Sequence, residues 1–161
     1  MNQTLLGSQI VQVAWVVKDV RATEKFFIES LGVEKFDRID NFRVQGTMYG
    51  KPAEWVSHLS MTYFGGQFIE LIQPLSDVGI FADWLKRNPA GGVQHMAYRL
   101  NEADLDKAVS EMVNKGYPVI MTADTPIARI VILDTYKDLG IATELMGVTP
   151  EGITAIENMK K

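Results

Sequence analysis

The chain has 161 residues, 47% apolar and 22% charged, with a formal net charge of −4. This length and apolar content fit one compact domain, or two small modules sharing a core, and exclude a disordered chain. The acidic balance, without any Lys/Arg cluster, argues against a nucleic-acid partner, and the absence of cysteine removes disulfides and thiolate chemistry. Any metal site must therefore use nitrogen and oxygen donors. The first residues show neither the basic start nor the apolar run of a signal peptide, and no apolar run is long enough to span a membrane. A cytoplasmic protein without a membrane partner is the expectation.

Residues 1–8 read as a loose terminus. Ile10 to Val17, dense in Val and Ile, predicts a strand. Asp19 then caps a helix with a stripe of Val20, Ala22, Phe26, Phe27 and Leu31, and Gly32 ends it. Val33 to Asp37 reads as a short strand, and residues 41–52, with two glycines and a proline, as irregular chain. Trp55 to Phe64 and Gln67 to Ile72 form a predicted hairpin turning at Gly65-Gly66. The connector from Gln73 to Gly92 contains a short helix at Ile80 to Lys86. Val93 to Leu100 is the next strand. A helix capped by Asn101 or Asp104 runs to Lys115, burying Leu105, Ala108, Val109, Met112 and Val113, and stops at Gly116. Strands follow at Tyr117 to Met121, Ile127 to Asp134 and Ile141 to Met146, with a turn at Lys137 to Gly140. The tail after Gly147 reads as polar and peripheral.

Each half thus reads β-α-β-β-β, and the chain repeats itself. The expectation is an α+β fold of two βαβββ modules, residues 9–74 and 92–147, joined by a connector at 75–91 and followed by a tail at 148–161. A βαβββ sheet has one face covered by its helix, so two copies would enclose an open cleft between their free faces. There is no phosphate-binding glycine loop, which argues against a nucleotide cofactor. When the halves are superposed, Gln12 falls on His95 and Glu70 on Glu144. Taken singly, Glu70 reads equally well as a solvent-facing strand glutamate and His95 as a hydrogen-bonded core histidine. Their paired positions favour a shared divalent-metal site, which would satisfy two otherwise costly carboxylates. One imidazole, two carboxylates and an amide oxygen suit Zn, Ni, Co, Mn or Fe(II). His58, in the Trp55 to Phe64 strand, is a further candidate acid/base, with a surface histidine as the alternative.

These residues carry a resemblance to the vicinal oxygen chelate superfamily, which includes glyoxalase I, methylmalonyl-CoA epimerase, extradiol dioxygenases and antibiotic-resistance proteins. The matching segments are Val13 to Gly32, Phe68 to Pro74, Gly92 to Gly116 and Thr143-Glu144-Leu145. The resemblance implies metal ligands on the first and last strands of each module: Gln12, Glu70, His95 and Glu144. Glutamine replaces the commoner histidine in first place, and the resulting set resembles that of zinc-type glyoxalase I. The residues around Val93 to Val119 are worded more like methylmalonyl-CoA epimerase. With one histidine in the matching positions, a ring-cleaving Fe(II) dioxygenase is the less favoured alternative. A non-catalytic small-molecule-binding protein is another, argued against by the complete ligand set. The implied activity is that of a metal-dependent lyase or isomerase, epimerase-like, working through a stabilised enolate or enediolate on a small oxygenated substrate. Zn, Ni or Co is the implied metal, Glu144 or Glu70 the base, and a homodimer the implied assembly.

Overall fold

Strand β1 (Gln9–Val16) alternates faces as its sequence dictates. Ala14 and Val16 join one apolar cluster, and Trp15 packs into another against the first helix. That helix, α1 (Val20–Leu31), begins where the Asp19 carboxylate accepts the N–H groups of Arg21 and Ala22, and ends at Gly32 in the left-handed conformation. The structure is a computed structural model and describes residues 9–160. The expected loose terminus at residues 1–8 lies outside the described residues.

The hairpin between β3 (Lys51–Phe64) and β4 (Gln67–Pro74) turns where predicted, with positive φ at both Gly65 and Gly66. Strand β2 departs from expectation. It runs from Asp37 to Met48, through most of the segment read as irregular. Its residues are mostly exposed, so it lacks the apolar alternation that marks a half-buried strand, and a bulge between Ile39 and Phe42 breaks its period. Pairing with β3 holds it instead. Gly46, which reads as a breaker, lies where β2 meets β6: a Cβ there would sit 2.0 Å from the carbonyl oxygen of Thr122.

The helix α2 (Ile80–Arg87) leads into the second module: β5 (Gly92–Asn101), α3 (Glu102–Asn114), β6 (Val119–Asp124), β7 (Ala128–Leu133), the short α4 (Tyr136–Leu139) and β8 (Ala142–Val148). The fold is α+β, built from two β-α-β-β-β units. Their eight strands close into one barrel in the order β1-β4-β3-β2-β6-β7-β8-β5. Within the modules β1 runs parallel to β4, and β5 parallel to β8. Between them, β1 pairs with β5 and β2 with β6, both antiparallel. The predicted cleft is therefore the interior of a barrel. Helix α1 covers the outside of the first module around Val20, Phe27, Ile69 and Leu71, and α3 covers the second around Leu105, Val131 and Leu145. Helix α2 turns Ile80, Phe81 and Trp84 into the interior cluster with Trp55, Ile72 and Ile132.

The tail read as polar forms α5 (Pro150–Met159), capped by Thr149, whose hydroxyl accepts the Gly152 N–H. Its Ile156 packs on Phe68, Ala128 and Val148. No helix among the described residues is long and apolar enough to cross a membrane.

The buried stripe of α1 also differs from its sequence reading. Phe26 and Leu31 are 56% and 47% exposed, while Glu24 is buried to 1%. Glu24 accepts hydrogen bonds from Arg21 (2.9 Å), from Arg38 Nε (2.8 Å) and from Ser60 Oγ, tying α1 to β2 and β3. Burial opposes ionisation here, but the Arg38 and Ser60 hydrogen bonds, the Arg38 charge and the Arg21 hydrogen bond outweigh it and hold the carboxyl below its usual range. A depressed folded-state pKa contributes stability above the unfolded-state value and loses it as pH falls through the folded one. Glu24→Gln is expected to destabilise the fold by about 2 kcal/mol at neutral pH in urea unfolding. The gap to the wild type should narrow as pH falls below the ordinary carboxylate range.

Candidate active site

The site is built on the β1·β5 seam. Two bulges interrupt this ladder, one leaving Val11 unpaired in β1 and the other Gln94 in β5. The step along the chain that carries Gln12 to His95 also carries Val11 to Gln94 and Ala14 to Ala97. The internal repeat therefore extends to its irregularities. Gln12 stands opposite Ala97, and Ala14 opposite His95. On the flanks Ala14 pairs with Glu70 and Ala97 with Glu144. The pairing places all four predicted donors on adjacent strands, facing the barrel interior.

Gln12 Nε2 donates to Glu70 Oε2 at 2.9 Å. His95 Nε2 lies 3.1 Å from Glu144 Oε2 and 3.8 Å from Glu70 Oε2. His95 is 1% exposed and Glu144 3%. Of these buried atoms, Glu144 Oε1 has no hydrogen-bond partner, and His95 Nε2 makes no well-aligned hydrogen bond but is ion-paired with Glu144 Oε2. Burial pushes the Glu70 carboxyl up to about 7, the His95 charge opposing and the Glu144 charge adding. Burial alone would lower the His95 pKa, but Glu144, and then Glu70, outweigh it and hold it above the usual value.

Among the described residues, no three His, Cys, Asp or Glu side chains form a ready-made metal-ligating group. The donor chemistry nevertheless fits a divalent cation. A buried imidazole nitrogen faces two carboxylates, one of them with an unpartnered buried oxygen, beside an amide.

The other ring nitrogen of His95 is firmly held. Gln94 Oε1 lies 2.5 Å from His95 Nδ1, and Gln94 Nε2 donates to the Tyr136 hydroxyl at 2.5 Å. Gln94 is fully buried. With its amide nitrogen committed to Tyr136, its oxygen must accept from His95 Nδ1–H, leaving Nε2 as the nitrogen that faces the carboxylates. Strict alternation would put Gln94 on the opposite face from His95. The bulge brings both to one side. Tyr136 lies just before the segment read as a turn, at the start of α4. A polar residue directly before the candidate histidine was the one available signal.

The interior holds a cavity of about 350 Å³ bordered by Gln12, Glu70 and Glu144, with Ile39, Phe42, Leu59, Met61, Phe68 and Met146. Ile156 and Met159 of α5 line it too, so the dismissed tail contributes to the site. A smaller pocket of about 70 Å³ lies among Glu70, Glu144, His95, Trp55, Phe81 and Ser57, whose hydroxyl is also unpartnered.

His58 is not part of this cluster. Met61 pairs with Glu70 and Leu59 with Ile72 on the inner face, so alternation along β3 turns His58 outward. There its Nδ1 accepts from the Asn41 N–H at 3.3 Å and lies 3.1 Å from Asp40. This corrects its reading as an acid/base at the cleft.

The sequence profile of the Glyoxalase/Bleomycin resistance protein/Dioxygenase superfamily matches residues 11–129. The chain belongs to that superfamily. The match includes Gln12, Glu70 and His95 and stops short of Glu144. Among solved structures, methylmalonyl-CoA epimerase from Mycobacterium tuberculosis is similar at a TM-score of 0.63 and 18% identity, over 96% of this chain and 95% of that one. A Streptomyces coelicolor methylmalonyl-CoA epimerase variant in complex with 2-nitronate-propionyl-CoA gives 0.59 and 22%, over 86% and 93%. A hypothetical protein from Bacillus halodurans gives 0.63 and 15%, over 87% and 94%. At such identities the likeness is one of fold. A search of curated proteins finds no match.

In this superfamily member the Gln94–Tyr136 pair is testable without any metal. Gln94→Leu should destabilise the fold by about 1–3 kcal/mol, because it strands a buried imidazole N–H. Tyr136→Phe should cost about 1 kcal/mol. The double variant in urea unfolding should cost clearly less than the two added, since both changes break one chain of hydrogen bonds.

Proposed function

We propose that this chain is a divalent-metal-dependent lyase or isomerase, epimerase-like, that moves a proton next to a carbonyl group of a small oxygenated substrate. The observation carrying this reading is the buried cluster of His95, Glu70 and Glu144, with Glu144 Oε1 unpartnered, where a small inner pocket meets a larger cavity bordered by Gln12. Membership of a superfamily that includes glyoxalases supports it, as does the fold shared with proteins named methylmalonyl-CoA epimerase.

His95, Glu144, Glu70 and the Gln12 amide oxygen would hold the ion, with Zn, Ni or Co suited to this donor set. When bound, it supplies Lewis acidity that polarises the carbonyl and steadies the enolate or enediolate charge. The chain's own residues divide the remaining work. Gln94 fixes the His95 ring through Nδ1, so the imidazole stays aimed while other groups move. Glu144 is the more buried carboxylate and lies nearer His95, so it is the steadier holder. Glu70 is 14% exposed and stands farther from the imidazole. It is the group that takes the α-proton at a carboxylate oxygen and returns it on the opposite face or to the neighbouring carbon. Gln12 Nε2 steadies that carboxylate. The apolar walls keep water from competing for the proton.

The test is metal content per chain after purification without chelator, followed by exchange of α-carbon protons in D₂O. About one Zn, Ni or Co per chain is expected. His95→Ala should weaken metal binding by at least about tenfold. Glu70→Gln should keep the metal and slow exchange by about 10²–10⁴-fold, whereas Glu144→Gln should lose metal first. Failure to bind any divalent metal on titration would sink the reading and leave a non-catalytic binder. Stoichiometric iron with oxygen-dependent turnover would point to an oxygenase.

A further inference from the structure

The interior has a strongly uneven chemistry. Its polar groups are gathered at one place, where Glu70, Glu144, His95 and the Ser57 hydroxyl border the inner pocket of about 70 Å³. The larger cavity of about 350 Å³ shares only the two carboxylates with that pocket among its charged groups. Beyond them and the polar Gln12 and Thr125, its walls are apolar, led by Ile39, Phe42, Leu59, Met61, Phe68 and Met146. Among the described residues, no lysine, arginine or histidine lines this larger cavity.

The cations of the adjoining groove serve other partners. Arg99 and Lys160 line that groove, which shares Val11, Phe68 and Ile156 with the larger cavity. Arg99 donates to Gln9 at 2.9 Å and lies 3.9 Å from Glu157, and Lys160 donates to Glu157 at 2.7 Å. An anionic group inside the larger cavity would lose its hydration, gain no counter-charge, and face two carboxylates already there.

We infer that the substrate carries its oxygens at one end and an uncharged, apolar body at the other, with no anionic group beyond the end that meets the polar cluster. This rests on the metal-dependent reading above and adds the class of molecule the site accepts. The larger cavity takes the body, whose burial supplies the binding energy. The polar floor takes the oxygens, which fixes the direction of entry. A substrate whose recognition depends on carboxylates or phosphates held inside the barrel is excluded.

Three hydroxamic acids with the same metal-chelating group separate the possibilities: acetohydroxamic acid, benzohydroxamic acid and succinic monohydroxamic acid. They are titrated calorimetrically into the protein loaded with zinc. The benzo compound is expected to bind at least about tenfold tighter than the acetyl one, from the apolar area its ring buries. The succinic compound is expected to bind no tighter than the acetyl one. Equal affinity of benzo and acetyl compounds, or preference for the succinic one, would overturn the inferred class while leaving chelation intact. If the protein binds neither zinc nor any of the three, the metal reading fails and the inference falls with it. Ile39→Lys provides the second arm. Ile39 is 40% exposed, so lysine is tolerated at this wall. The variant should raise the affinity for the succinic compound relative to the acetyl one severalfold. An unchanged ratio in a variant that still binds the acetyl compound would place the body elsewhere and overturn the inference.

Discussion

The pairing of β1 with β5 is the constraint on which the rest of this protein depends. Neighbouring strands lie about 5 Å apart, so donors on them can share one small space only if their register is fixed. Here two bulges, one just before Gln12 and one just before His95, fix it. A slip of one residue along this seam would turn both side chains to the helix-covered face. The parallel partners β4 and β8 then bring Glu70 and Glu144 to the same level, each opposite the alanine two residues beyond the seam donor. Those alanines, Ala14 and Ala97, are fully buried. Their small side chains leave room for the carboxylates to reach inward.

Two buried glutamates on opposite sides of the sheet show how differently the fold treats the same residue. Glu24 on the outside meets Arg21, Arg38 and Ser60, and its charge is fully answered. Glu144 on the inside meets only His95 and keeps one oxygen unpartnered. The first arrangement ties a helix to a sheet. The second leaves binding capacity unused in a place shielded from water, where such capacity costs stability and is worth most to a ligand. The Gln94–Tyr136 pair belongs to the same economy: it spends two buried polar side chains on the orientation of one ring.

Much of this was legible along the chain because it follows local rules. The alternation in β1 and β5, the Gly65-Gly66 turn, the Asp19 cap and the repeat of Gln12 and Glu70 as His95 and Glu144 all depend on near neighbours or on internal comparison. The misreadings share a different cause. Strand β2 is mostly exposed and gains its structure from β3, so no apolar period announces it. Glu24 looks like a solvent-facing helix residue until Arg38 and Ser60 arrive from other elements. Helix α5 is short, and only the cluster of Phe68, Ala128 and Val148 gives Ile156 something to bury against. His58 sits in a correctly predicted strand, but its face is set by the pairing of β3 with β4.

The sequence by itself determined the two βαβββ units and the matched positions of Gln12 with His95 and Glu70 with Glu144, because period, turn chemistry and self-similarity are properties of the chain. The tertiary structure decided what those positions amount to. Closure of eight strands turned a cleft into a chamber, and the bulges put Gln94 behind His95. The shared cavity joined an acidic floor to apolar walls drawn from both modules and from α5. None of these follows from local sequence, since each depends on which residue of a distant strand lies opposite, and backbone hydrogen bonding between strands fixes that register only when the whole barrel forms.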